Sequence, residues 1–186
     1  MQKIFVATGN KGKVDEISAI LKIPLKIADI EIDEVQSMDL EYVARKKVQE
    51  AFNILKKPVI VDDVGVFIDV WNKFPGPFVK YMYNLLGNKK ILELLRNEKN
   101  RKVIVQSVIA YHDGKKIHTF VGTVNGTLSL KEKGTQGWGF DPIIIPDGEK
   151  ETFAQMGPKK KNLISHRAKA LQKFKKFIDT QKIKMV

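Results

Sequence analysis

Ile4-Phe5-Val6-Ala7-Thr8-Gly9-Asn10-Lys11-Gly12-Lys13 is the stretch whose reading decides the fold. An apolar run, read as a strand over residues 3–7, stops at a turn that holds two glycines, a hydroxyl, an amide and two lysines. Behind it Val14, Ile17, Ile20 and Leu21 recur at helical spacing and predict a helix over 12–22, ended by Pro24. Such a junction points free backbone N–H groups outward at the positive end of the helix dipole. That geometry suits a phosphate. Glycine lets the backbone approach closely, Thr8 and Asn10 can donate hydrogen bonds, and Lys13 can neutralise charge. The spacing differs from GxxxxGK[ST], so this is not a Walker loop. An ordinary capped turn with solvated lysines accounts for the same residues.

Working outward, LKIADIEI (25–32) predicts a second strand. Residues 39–56 carry an apolar stripe of Leu40, Val43, Ala44, Val48, Ala51 and Leu55, hence an amphipathic helix with Asp39 as its N-cap. PVIV (58–61) reads as a short buried strand ending in Asp62-Asp63, and VFIDV (66–70) continues extended. After FPGP (74–77) two helices are expected, over 78–86 and 88–97. Strands at 102–112 and 116–129 flank Asp113-Gly114, a hairpin signal. Residues 131–139 form a glycine-rich loop, DPIIIP a short strand, and 159–179 a final helix. Helices alternating with strands early and a long central hairpin imply an α/β domain with a mixed sheet. No linker divides the chain, so 1–186 is read as one domain.

Composition narrows the class. At 43% hydrophobic and 29% charged the chain is globular, and without cysteine it has neither disulfides nor thiolate metal sites. No run is long enough to span a membrane, and no signal-peptide layout is present, so a cytoplasmic protein is expected. The net charge is +12, and 29 of the 33 basic residues are lysine. A basic surface attracts polyanions, nucleotides and nucleic acids among them, although most of these lysines suit a solvated face.

Asp62 and Asp63 follow a buried strand, where open α/β sheets bind ligands, and paired carboxylates there suit Mg²⁺ with substrate phosphates. Simple pairing with neighbouring lysines accounts for them equally well. Glu34, just after a strand, offers a third oxygen donor or a solvated acid. Lys47 lies on or beside the stripe of the 39–56 helix, and either snorkels out or reaches inward to an anion. In GTQGWGFDP (134–142), Trp138 and Phe140 would share one face of an extended segment, as a stacking platform for a base or as core plugs. Arg167 falls on the apolar stripe of the last helix, where an arginine needs a partner; with His166 it could donate to a carbonyl-bearing purine edge. His112 and His118 read as ordinary hairpin residues.

TGNxxK, the Asp-Asp pair, FPGPxxK, GWGFDP and SHR occur here in one order. In that order the sequence resembles the inosine triphosphate pyrophosphatases over residues 3–178. The resemblance implies an elongated mixed β-sheet flanked by helices, in two lobes around a nucleotide-binding cleft. It implies hydrolysis of ITP, dITP and XTP to the monophosphate and pyrophosphate, with Mg²⁺, by a homodimer that holds neither membrane nor nucleic acid stably. Thr8, Asn10 and Lys13 match the triphosphate loop, and Lys47 a second phosphate-binding lysine. Glu34 and Asp63 match the metal and catalytic positions, with Asp62 just before. Lys80 is the lysine of FPGPxxK. Trp138, Phe140 and Asp141 match the base-pocket segment, and Lys161, His166 and Arg167 the closing helix. Val64 departs from the serine or threonine that many members carry between the acidic pair and the glycine, which Gly65 matches. A related pyrophosphatase with another base preference is the nearer alternative. A basic nucleic-acid-binding module is the farther one, and it leaves the acidic pair unexplained.

Overall fold

The structure, a computed structural model, describes residues 4–183. Lys3, expected to open the first strand, lies outside them. β1 (Ile4–Ala7) runs parallel to β2 (Leu25–Ala28) on one side and to β3 (Val59–Ile68) on the other. β3 then pairs antiparallel with β5 (Lys102–His112), β5 with β6 (Ile117–Leu128), and β6 with β7 (Ile144–Pro146). β4 (Pro75–Gly76) adds to the far half of β3. The sheet is mixed and open, as expected, and helices flank it.

α1 (Lys11–Leu21) starts where Asn10 caps it, its side chain accepting from the Lys13 backbone N–H at 3.1 Å. α2 (Leu40–Leu55) is capped by Asp39, which accepts from the N–H groups of Glu41 and Tyr42, each at 3.0 Å. Its buried face is Leu40, Val43, Ala44, Val48 and Ala51, the stripe read from the sequence. α3 (Val79–Leu94) breaks at Gly87, whose φ of 66° lies in the left-handed region. The break separates the two helical stretches that were expected.

Three expectations need correction. The second strand stops at Ala28, because β1 ends at Ala7 and offers nothing to pair with residues 29–32. Val59–Val61 of PVIV and Val66–Ile68 of VFIDV belong to one strand, Asp69 and Val70 form a 3-10 turn after it, and Asp62-Asp63 lie inside the strand rather than at its end. β5 continues the ladder past them, with Asp62 opposite Ile109 and Asp63 opposite Val108. The last helix is two: α4 (Phe153–Ile164) and α5 (His166–Ile183). A capping box of Thr152 and Gln155 starts α4 earlier than expected. Ser165 ends it in an extended conformation and accepts from the Ala168 N–H at 3.2 Å, so one residue closes α4 and caps α5.

The core has three parts. Val6, Ile60 and Ile109 meet α1 and α5 on one face of the sheet, through Ile17, Leu21, Leu171 and Phe174. Ala7, Val59, Val61 and Val108 meet α2 on the other face. A third cluster gathers Val66, Ile68, Ile91, Leu95, Val105 and Phe153 around the far ends of β3 and β5. α5 comes so close to β6 that a Cβ on Gly122 would lie 2.0 Å from the His166 carbonyl oxygen.

Candidate active site

Strand alternation sends the two adjacent aspartates to opposite faces. Asp62 follows Ile60 toward α1 and α5; Asp63 follows Val61 toward α2. Both still border one cavity, because β1 ends beside Ile60 and leaves β3 without its parallel neighbour from there on. The cavity has a volume of about 720 Å³ and lies past the carboxyl end of β1. That is where open α/β sheets take ligands. The site is thus at the expected place in the sheet, although the strand does not stop there.

Thr8, Asn10 and Lys13 line the cavity, as do Glu34, Lys47, Asp62, Asp63, Lys80, Trp138 and Phe140. The junction at the start of the chain therefore faces the twin acids. Thr8 Oγ1 accepts from the Asn10 N–H at 3.1 Å, and the Asn10 carbonyl oxygen caps α1, so donor groups are what these two side chains have left for a ligand. Lys13 Nζ donates to the Asp62 carbonyl oxygen and lies 3.3 Å from its carboxylate.

Lys47 answers the question of its direction: it points inward. Its ammonium donates to Asp63 Oδ1 at 3.0 Å and to Glu34 Oε1. Burial works against that charge, but the Asp63 and Glu34 carboxylates outweigh it and hold the Lys47 pKa above the usual lysine value. Burial would raise the Glu34 pKa; the Lys47 hydrogen bond and charge reverse this and lower it, with Lys80 and Lys13 adding to the effect. Asp63 Oδ2 is buried and has no hydrogen-bond partner.

Asp141, Lys161, His166 and Arg167 lie elsewhere, behind the Trp138 indole and away from the cavity wall. Arg167 is 1% exposed and His166 2%. Arg167 Nε donates to Asp62 Oδ2 at 3.0 Å, and its Nη1 donates to Glu16 Oε2. Its Nη2 lies 2.9 Å from Asp62 Oδ2 without the alignment of a hydrogen bond. Lys161 Nζ donates to Asp141 Oδ2 at 2.6 Å and to Glu16 Oε1 at 2.7 Å. Burial raises the Asp62 pKa, but Arg167 and Lys13 overcome this and hold it far below the carboxylate range. His166 goes the other way: burial, then the Arg167 and Lys161 charges, keep its imidazole neutral well below the ordinary histidine pKa.

Glu16 is the residue the sequence reading missed. It stands next to buried Ile17 on α1 and would pass for a solvated acid, yet it takes hydrogen bonds from Lys161, Arg167 and Trp138. Its position one step from an apolar stripe was the only local signal. Ser107, also missed, donates to Asp62 Oδ1 at 2.6 Å from the neighbouring strand.

An open α/β sheet with a lysine-rich turn and inward-facing carboxylates around one cleft defines an anion-binding protein of the kind that handles phosphorylated ligands. The chain belongs to the Ham1 family, whose model matches residues 4–177. It is 42% identical over 181 residues to a dITP/XTP pyrophosphatase of Saccharolobus solfataricus, covering 96% of this chain and 94% of that one. Over 176 residues it is 42% identical to a dITP/XTP pyrophosphatase of Methanopyrus kandleri, covering 92% and 94%. The Staphylococcus aureus Ham1 protein superposes with a TM-score of 0.84 at 26% identity, over 97% of this chain and all of that one.

Proposed function

We propose that this protein hydrolyses ITP, dITP and XTP to the nucleoside monophosphate and pyrophosphate, so clearing abnormal purine nucleotides. The observation that carries this reading is one cavity bordered by Lys13, Lys47 and Lys80, by Glu34 and Asp63, and by the Trp138–Phe140 loop. Cations suit a polyphosphate, carboxylates a metal and a water, and rings a base. The relatives' activity, dITP/XTP pyrophosphatase, supplies the substrate class.

The donor set fits Mg²⁺. Among the described residues no group of three or more acidic, histidine or cysteine side chains gathers for a metal, but Glu34 and Asp63 converge on Lys47, and Asp63 Oδ2 is buried and unpartnered. Mg²⁺ commonly takes one or two carboxylates and completes its shell with substrate phosphates and water. Glu34 and Asp63 would hold it, and when bound it would neutralise charge and polarise a phosphoryl oxygen. The three lysines hold the polyphosphate and offset its repulsion of an incoming oxygen nucleophile. Asp63 orients a water and takes its proton. As the water oxygen bonds to phosphorus, the α–β anhydride bond breaks and its electron pair leaves with pyrophosphate.

The reading extends to the whole chain as one domain, acting as a homodimer in the cytoplasm. Among the described residues no helix is long and apolar enough to cross a membrane. The test is pyrophosphate release from ITP, XTP, dITP, GTP and ATP, with Mg²⁺ and with a chelator. Turnover of the first three that stops with the chelator is the expected result. Equal turnover of ATP supports the related enzyme of other base preference, and no release from any triphosphate ends the reading.

A further inference from the structure

A second cavity, of about 580 Å³, lies at the other end of α3. Val79, Lys80, Tyr83 and Asn84 border the first cavity, whereas Lys89, Leu92 and Glu93 border this one. The rest of its wall comes from Arg96, from Arg101 just before β5, and from residues 130–132 after β6. The size suits a small molecule. Cations dominate the wall. Lys89, Arg96, Arg101 and Lys131 face two acids, and one of these, Glu93, already pairs with Lys90 at 3.1 Å. Glu132, the other, is exposed. Arginine is the rarer cation in this chain, four of 33 basic residues, and two of the four meet here.

Arg101 is 8% exposed. Its Nε donates to the Leu128 carbonyl oxygen at 2.8 Å, its Nη1 to that of Leu95 at 2.6 Å and its Nη2 to that of Ser129 at 2.7 Å. These bonds fix the guanidinium, and Leu95 stands at the C-terminal end of α3, where the helix dipole favours a cation. Carbonyls carry no net charge, however. Among the described residues no carboxylate forms an ion pair with Arg101, and burial with no anion to offset it lowers its pKa from the usual arginine value. A guanidinium has five N–H donors, so two remain after the three carbonyls. Arg167, equally buried, has Asp62 and Glu16 to balance it; Arg101 has no such partner.

We propose that this cavity is a second ligand site, which binds the phosphate group of a small organic phosphate monoester. The phosphate takes the two remaining N–H groups of Arg101 and the forked donors of Arg96, and Lys89 and Lys131 offset the rest of its charge. Leu92 and the exposed Leu130 give the carbon skeleton an apolar wall, which an inorganic anion would leave unused. The two cavities have no lining residue in common, so the second site does not rest on the proposed function.

The test follows amide and arginine Nε–H signals of the ¹⁵N-labelled full chain, without divalent metal and in about 0.15 M salt to screen loose surface contacts. Ribose 5-phosphate is the probe, ribose the uncharged control, and inorganic phosphate the second arm. Ribose 5-phosphate is expected to move the Arg101 Nε–H signal and the amides of residues 89–96 and 130–132 along a saturating curve. Ribose leaves them in place, and inorganic phosphate needs about tenfold more ligand for the same effect. Joint Arg96→Ala and Lys131→Ala substitution removes two exposed side chains and keeps the carbonyl bonds of Arg101. It is expected to weaken binding at least about tenfold, while residues 8–13 of the first cavity respond as in the wild type. Shifts that never saturate, equal movement by ribose, or an affinity unchanged in the double variant overturns the inference. Inorganic phosphate binding as tightly as the ester overturns the assignment to an organic ligand. A protein that releases no pyrophosphate from any triphosphate would end the proposed function and leave this result standing.

Discussion

The outer end of the site, at the cavity wall, and its inner end, a buried network behind that wall, use the same residue types in different surroundings. At the outer end, Lys47 bridges Glu34 and Asp63, and the Glu34 side chain is 38% exposed. At the inner end, Arg167 and Asp62 are each 1% exposed and Lys161 is 4% exposed. The outer charges lie nearer water, with the Lys47 and Asp63 side chains 16% and 12% exposed. The inner ones are buried and paired with one another. Exposed pairs contribute little to stability, whereas breaking a buried pair strands an unpaired charge. The outer end should therefore respond to substitution in rate and the inner end in stability.

The sharpest way to break this contrast is Arg167→Ala. It leaves buried Asp62 with Lys13 alone and Glu16 with Lys161 alone, and the expected loss is about 3–5 kcal/mol in denaturant unfolding. A variant as stable as the wild type would mean that the inner network is not structural. Asp63→Asn probes the other end. The isosteric change keeps the strand and leaves Lys47 its Glu34 partner, so unfolding should shift less than in Arg167→Ala, while kcat falls about 10²–10⁴-fold as the water loses its base. Near-wild-type turnover would remove Asp63 from the chemistry.

The same division explains what could be read from the sequence. Local signals were reliable: the Asp39 cap, the α2 stripe and the Asp113-Gly114 hairpin stand where they were read. Asp62-Asp63 misled because two carboxylates in an apolar run look like a terminator, whereas their acceptability inside β3 depends on Arg167, 105 positions away, and on Lys47. Arg167 was recognised as needing a partner, and a purine edge was the candidate. In the structure its side chain is paired with Asp62 and Glu16, from β3 and α1. Glu16 was invisible for the same reason: its role exists only once α1, α4 and α5 pack together. Outer residues such as Lys13 and Asn10 were easier, since a turn and the cap of its own helix hold them.

The inner end should also carry a pH signature, smaller than either substitution. His166 is packed near Asp62 on β3, Lys13 on α1 and Lys161 on α4, and beside Arg167; burial and the three cations outweigh the Asp62 carboxylate. Its folded pKa lies well below the unfolded value near 6.5, so the unfolded chain binds a proton that the folded chain does not. Stability from this group is complete above about pH 6.5 and falls with acidification by up to about 1.4 kcal/mol per pH unit, until the folded pKa is reached. Buried His112 has its pKa lowered too and adds a loss of the same sign. Asp62 has a depressed pKa as well, but its contribution is retained until the pH drops below the unfolded carboxylate value, near 3.9. Asp141, whose carboxyl pKa burial raises, acts with the opposite sign as it gains its proton, and His166→Leu should flatten the fall of the unfolding free energy between pH 6.5 and 5. An unchanged slope would show that the imidazole gains a proton in the folded protein as readily as in the unfolded chain. The inner end would then be open to water, and the contrast between the two ends would fail.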